Sequence, residues 1–299
     1  MNLVNTHVHY GAHSAPALDE PVSTVPAAPT ATGQLVTVVR RSLLERWRSL
    51  LVWSLGLAGI SAIQLAVYPS IQATAAGWGA MLDQWPDALK EVFGLDAYTS
   101  GPGYLNTELF SMMFPIVLIA VALGAAASAT AGEEERGTAD LLLSLPILRG
   151  RVLAAKVVAM VLGVLVVTLA GVVTIVIGAP LVDLSVGTAE VLVAAGMTAL
   201  LGLFFGFVGL LLGAVSGTRA VALGAGIGLA IAAFLLHLLA PMADWLEPWQ
   251  KASPFYWALD GEPLINGIDL GAVALLVTVS IVVLAVTARV FRRRDISGR

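Results

Sequence analysis

The chain has 299 residues, of which 58% are hydrophobic and only 12% are charged. Soluble domains carry about 25% charged residues, so a water-soluble fold of this length could not hide so much apolar surface. The sequence has no cysteine, which excludes disulfides, thiolate metal sites and catalysis by a thiol. We therefore expect lipid to be the solvent for most of the chain.

The first 33 residues differ from the rest of the chain. They hold four prolines among Ala, Ser and Thr, and they lack both Lys and Arg. A signal peptide needs a basic start followed by an apolar stretch, so residues 1–33 are predicted to be a disordered cytoplasmic tail. His7, His9 and His13 lie in this tail. A weak metal site is one interpretation, but an incidental tail is favoured because isolated histidine clusters rarely bind a metal specifically.

Six later runs have no Asp, Glu, Lys or Arg and are long enough to cross a bilayer. They are residues 50–68, 109–131, 157–177, 191–215, 220–239 and 270–288. Backbone polar groups inside lipid must be paired within the segment, which predicts six transmembrane helices and an all-α membrane protein. No carboxylate falls within these runs, and this argues against a carrier driven by an ion gradient.

The basic residues indicate the orientation of the spans. If the N-terminus is inside, the inner segments hold every Lys and Arg except Lys90 and Lys251, as the positive-inside rule requires. Acidic residues favour the opposite side, with 12 of the 20 in outer segments. Both termini are therefore predicted to be cytoplasmic.

The outer connections are long. Around residues 81–93 apolar side chains recur at helical spacing between acidic ones, which predicts an amphipathic helix on the outer surface. Residues 240–269 contain five aromatic side chains suited to the membrane interface. The inner connection at residues 217–219 is so short that spans four and five should form a tight hairpin.

The inner segment between spans two and three is more than a connector. It reads EEERGT over residues 133–138, LLLSLP over 141–146 and RGR over 149–151. Thr138 can cap a short helix that Pro146 ends, with Leu141, Leu142 and Leu145 on one face. Such a helix could dock on the membrane surface or on another protein. Three consecutive glutamates are repelled by anionic lipid, which favours a protein partner.

At these residues the sequence resembles the membrane subunits of ABC-2-type ABC transporters. The resemblance continues through SPFY at residues 253–256, GEPL at 261–264 and FRRRD at 291–295, which are similar to the endings of bacterial permeases of that type. It covers the chain from about Arg40 onward, and residues 1–33 lie outside it. Residues 34–299 are assigned as the transmembrane domain. The resemblance implies an exporter-like transmembrane domain in a bacterial inner membrane, with outer re-entrant helices between spans five and six. It also implies an amphipathic helix before the first span, which residues 35–47 could supply.

The resemblance assigns the short helix after Gly137 as a coupling helix that docks on a separate ATP-binding subunit. The predicted contact residues are Glu133, Glu134, Glu135, Arg136, Gly137, Thr138, Asp140, Leu141, Leu142, Leu145, Arg149 and Arg151. Two ATP-binding subunits would pair with two permease chains, the second expected to be another copy of this one. ATP and Mg would be bound by the partner subunit, since this chain has no phosphate loop and is expected to hold no cofactor or metal.

The expected substrate is a small amphiphilic molecule, a drug or a lipid. A non-catalytic membrane scaffold or assembly factor, or a membrane-embedded enzyme, is the alternative function. The enzyme is disfavoured because the spans lack paired carboxylates or a histidine cluster. We expect membrane lipid to contact the chain and nucleic acid not to.

Two sets of residues inside the spans are candidates for function. His237 could be a gate or a substrate contact, but a histidine bonded to water or backbone at the interface is favoured. The second set lies within span four and consists of Gly202, Gly206, Gly209 and Gly213. Small residues let helices approach closely; ordinary packing within one chain is favoured over a surface that moves during transport.

Overall fold

In the computed structural model the described residues, 31–82, 85, 100–130 and 149–293, are helical with short connections and contain no strand. Six of their helices are long and apolar enough to cross a membrane. This confirms the prediction of an all-α protein with six transmembrane helices. Most of the N-terminal tail, the segment around residues 83–99 and the inner segment 131–148 lie outside the described residues.

The first helix, α1, runs without a break over Ala31–Leu82. At 1.5 Å per residue its 52 residues extend for roughly 80 Å, more than twice the hydrocarbon thickness of a bilayer. The separate amphipathic helix expected at residues 35–47 is therefore continuous with the first span. No Gly or Pro lies between residues 34 and 55, so nothing in the sequence interrupts the backbone hydrogen bonds.

The second helix, α2, begins earlier than its apolar run. It comprises an α-helical turn at Gly101–Leu105, a π-helical segment at Asn106–Met113 and an α-helix at Phe114–Thr130. Ser100 caps its start, since its hydroxyl accepts a hydrogen bond from the amide of Gly103 at 3.1 Å. Glu108 is therefore part of the helix, although it lies just outside the apolar run at residues 109–131.

The remaining spans are α3 (Arg149–Gly178), α4 (Thr188–Ser216), α5 (Arg219–Leu239) and α9 (Leu270–Arg293). Gly217 joins α4 to α5 with φ of 71°, a left-handed conformation that glycine adopts without strain. The outer segment between α5 and α9 forms three short helices, α6 (Glu247–Gln250), α7 (Pro254–Leu259) and α8 (Pro263–Asn266).

The bundle is built around α2 and α4. Their most apolar stretches are 67% buried, whereas those of α1, α5 and α9 are 17% buried. One part of the core joins α1, α2, α3 and α4 through side chains such as Leu57, Phe114 and Val164. A second part joins α4 to α5, α7 and α9 around Phe205 and Phe255. The outer helix α7 is thus packed into the bundle, while α1, α5 and α9 present wide apolar faces.

Candidate functional site

The helix ends that flank the predicted coupling segment are tied together. Residues 133–145 lie outside the described residues, so their assignment as ATPase contacts stays a prediction. The segment leaves α2 at Thr130 and returns at Arg149, the first residue of α3. About two turns into α3, the ammonium of Lys156 donates a hydrogen bond to the carbonyl oxygen of Ala129 near the end of α2. Arg151 is exposed.

A cavity opens beside this tether, between the inner ends of α1, α2 and α3. It encloses about 150 Å³, and its lining includes Arg46, Lys156 and Ser128. Lys156 is only 8% exposed. The guanidinium of Arg46 reaches across to α2, where one of its nitrogens lies 3.6 Å from the position a Cβ would take on Gly124. We call this the inner basic cavity.

Three glycines of span four, Gly202, Gly206 and Gly209, lie where α4 packs against α2. Gly202, Gly206, Gly209 and Gly213 are all buried, and we call them the glycine seam. A Cβ on Gly202 would lie 3.0 Å from the Cβ of Leu118 and 3.1 Å from its backbone carbonyl carbon. A Cβ on Gly206 would lie 2.9 Å from the Cβ of Ala122. The two helix backbones therefore approach so closely that any larger side chain must push them apart.

A polar cluster joins α1 and α2 toward their outer ends. The side-chain amide of Gln64 donates to a carboxylate oxygen of Glu108 at 2.8 Å. The hydroxyl of Tyr104 donates to the backbone carbonyl of Gln64 at 3.0 Å, and its ring packs 5.4 Å from that of Tyr68. Glu108 lies in the π-helical segment of α2, and such segments are frequent at functional sites.

His237 lies partly buried near the outer end of α5. Its Nδ1 is buried and has no hydrogen-bond partner among the described residues. About one turn earlier, the carbonyl of Ala233 accepts a hydrogen bond at 2.8 Å from Ser253, the residue that caps α7. This bond fastens the outer helices to α5, and a gating role for His237 stays a prediction.

Two of these features escaped sequence reasoning. The inner basic cavity brings together Arg46 and Lys156, which are 110 positions apart in the chain, and no local pattern links them. The start of α2 was detectable, because Ser100 followed by Pro102 is a typical helix start with a capping serine and a proline in the first turn. That signal would have placed Glu108 inside the helix.

The comparison with protein families agrees with the architecture. The model of the family described as "ABC-2 family transporter protein" matches residues 36–296, nearly the whole chain. No curated protein is significantly similar in sequence. Six apolar helices together with this match make the chain a multi-pass membrane protein of the permease type. The chain belongs to the ABC-2 family of transporter proteins.

Proposed function

We propose that the chain is the permease subunit of an ATP-driven exporter in a bacterial inner membrane, powered by a separate ATP-binding subunit. Two copies of each would form the transporter, and a small amphiphilic molecule, a drug or a lipid, would be the substrate. The observation that carries the proposal is the bond between Lys156 and the carbonyl of Ala129. It ties together the two helices that flank the predicted coupling segment.

The hydrogen bond between the inner ends of α2 and α3 suits a connecting segment that receives force. A push on residues 133–145 would act on α2 and α3 together, because their inner ends are held by a hydrogen bond to a charged donor, which is stronger than a neutral one. From α2 the displacement would pass to α4 across the glycine seam, where the two helix backbones approach closely. From α3 it would pass to α1, since Leu50 of α1 contacts Gly163 and Leu57 contacts Gly171.

The outer ends of the same helices are where a substrate path would open. The Gln64–Glu108 bond joins α1 to α2 there, and the capping bond of Ser253 holds the outer helices against α5. Motion that separates these contacts would open the bundle outward. The spans are apolar with scattered serines and threonines, which suits an amphiphilic substrate better than a hydrophilic ion.

The test is coupling between ATP hydrolysis and transport in the reconstituted complex. The chain should copurify with a nucleotide-binding subunit whose ATPase activity the permease stimulates. Glu134→Lys and Leu142→Asp should leave the protein inserted and the ATPase active but abolish transport. Glu247→Lys, the same charge reversal on an exposed outer residue, is the control and should transport normally.

Two results would contradict the proposal. Normal transport by Glu134→Lys and Leu142→Asp at normal expression would show that residues 133–145 do not receive the force. A chain that is stable alone and recruits no nucleotide-binding partner would favour the scaffold instead.

A further inference from the structure

We propose that the cytoplasmic end of α1 is a second docking surface for the separate ATP-binding subunit. The surface is the part of α1 at residues 31–45, before the first apolar run, which we call the inner arm. The partner surface that fits the arm is an apolar groove with an acidic rim. This inference rests on the proposed function, since it names a further contact of the same partner.

The inner arm extends beyond the bilayer. The residues from Ala31 to Ser49 precede the apolar run that starts at Leu50 and, at 1.5 Å per residue, span roughly 28 Å of unbroken helix. A headgroup layer is about 5–8 Å thick, and transmembrane helices tilt by at most about 40°. Since the charge distribution of the chain puts this end on the inner side, about 15–20 Å of helix projects into the cytoplasm.

The projecting helix carries six large apolar side chains, and none of them is buried. Val36 is 58% and Leu44 is 56% exposed. The partly exposed ones are Leu35, Val38, Val39 and Leu43. Val36, Val39 and Leu43 have the i, i+3, i+7 spacing with which a helix lies in an apolar groove. Because the arm points away from the bilayer, a protein surface rather than lipid is in a position to cover this face.

The charge of the arm indicates the rim of that groove. Residues 31–49 contain four arginines and one glutamate. Arg40 is exposed and lies one turn after Val36, at the edge of the apolar face. Anionic lipid also attracts basic residues, but Arg40 is about 15 Å from the start of the apolar run, beyond the headgroup layer. An acidic protein surface is therefore the complementary partner.

The arm stands beside the point where the predicted coupling segment leaves the bundle. Leu50 contacts Gly163, and α1 and α3 both run from the inner to the outer side. Lys156, which is bonded to the end of α2, is therefore at about the level of Leu43. The arm continues past this level, so a subunit that binds residues 133–145 is within its reach.

The first measurement locates the arm. The chain has no cysteine, so Val36→Cys accepts a single environment-sensitive dye in the full-length protein in nanodiscs. A quencher on the lipid headgroups should leave the dye bright. Addition of the nucleotide-binding subunit that copurifies with the chain should shift the emission to shorter wavelength. Quenching by lipid before the subunit is added would overturn the proposal, because the arm would then lie on the membrane.

The second measurement is the affinity of the nucleotide-binding subunit for the chain. Arg40→Glu should weaken binding by about tenfold or more, because it replaces an attraction at the acidic rim by a repulsion. Arg41→Glu is the matched control. It makes the same change at the next residue, on the polar side of the arm where Arg41 pairs with Glu45, and should weaken binding by less than about threefold.

The remaining outcomes separate this inference from the proposed function. The subunit could bind and have its ATPase stimulated while the dye does not respond and Arg40→Glu binds like the wild type. The arm would then not be a docking surface, and the proposed function would stand. Equal losses in Arg40→Glu and Arg41→Glu would also overturn the site, since they would show attraction by overall charge alone. If no nucleotide-binding subunit binds the wild-type chain, the proposed function fails and this inference fails with it.

Discussion

A close helix contact in the glycine seam should not accommodate an added methyl group. Gly206 of α4 faces α2, and Gly206→Ala would place a carbon 2.9 Å from the Cβ of Ala122 and 2.9 Å from the sulfur of Met160. The thioether can swing aside, because methionine has three rotatable bonds. The Cβ of Ala122 is fixed to the backbone of α2, so the two helices themselves must separate.

The size of the effect follows from this distance. Carbon atoms in contact prefer separations of about 3.5–4.0 Å, so the helices must part by roughly 0.6 Å. Overpacking of this kind costs about 1–3 kcal/mol. Replacing Gly by Ala in a helix stabilises the folded state by about 0.5–1 kcal/mol, which offsets part of this cost. We expect a net loss on the order of 1–2 kcal/mol, or a decrease in melting temperature of a few degrees for a chain of this size.

The assay is thermal unfolding of purified variants at one scan rate, because melting temperatures depend on scan rate wherever unfolding is irreversible. Gly196→Ala is the matched control. It makes the same substitution on the same helix, but its added Cβ would meet nothing within 4 Å, so the melting temperature should stay level or rise. Equal melting temperatures for Gly206→Ala and Gly196→Ala would refute the close contact between α2 and α4.

Three further changes have effects that the contacts predict. Ser253→Ala removes the cap of α7 and the bond to Ala233, and should cost about 1–3 kcal/mol in unfolding free energy relative to a substitution at an exposed serine. Gln64→Ala leaves the half-buried Glu108 without its amide donor and should lower the melting temperature by an amount corresponding to about 1–3 kcal/mol; no change would mean that water replaces the amide. Glu45→Gln breaks an exposed pair between side chains 75% and 53% accessible, and should change stability by less than about 1 kcal/mol by the same assay.

The spans and the fold class were predictable because they depend on composition alone. A run such as residues 191–215 is too apolar to be exposed to water, and an open strand edge in lipid would leave backbone polar groups unpaired. Its helical conformation therefore follows from the sequence. The boundaries were less predictable. The charge of Arg48 marked the start of the first predicted span. A charged residue does not end a helix, however, and α1 continues through Arg46 and Arg40 into the aqueous layer.

The contacts that form the candidate site depend on tertiary packing. The four glycines of the glycine seam were recognisable as a surface for close approach, but their sequence spacing does not say which helix approaches. In the structure the approaching helix is α2, which contacts the seam through Leu118 and Ala122. The inner basic cavity was beyond prediction for the same reason, since Arg46 and Lys156 meet only because α1 and α3 pack side by side.

Three of the contacts on which the proposed function is built involve α2. Its inner end holds the bond from Lys156, its middle packs against the glycine seam, and its outer end carries Glu108 in a π-helical segment. A straight helix transmits a displacement from one end to the other, whereas a π-helical segment is a place where helices bend. The seam holds the inner half of α2 tightly to α4, so a push at Thr130 should move these two helices as one unit. Bending at residues 106–113 then decides how much of that motion reaches the Gln64–Glu108 contact at the outer face.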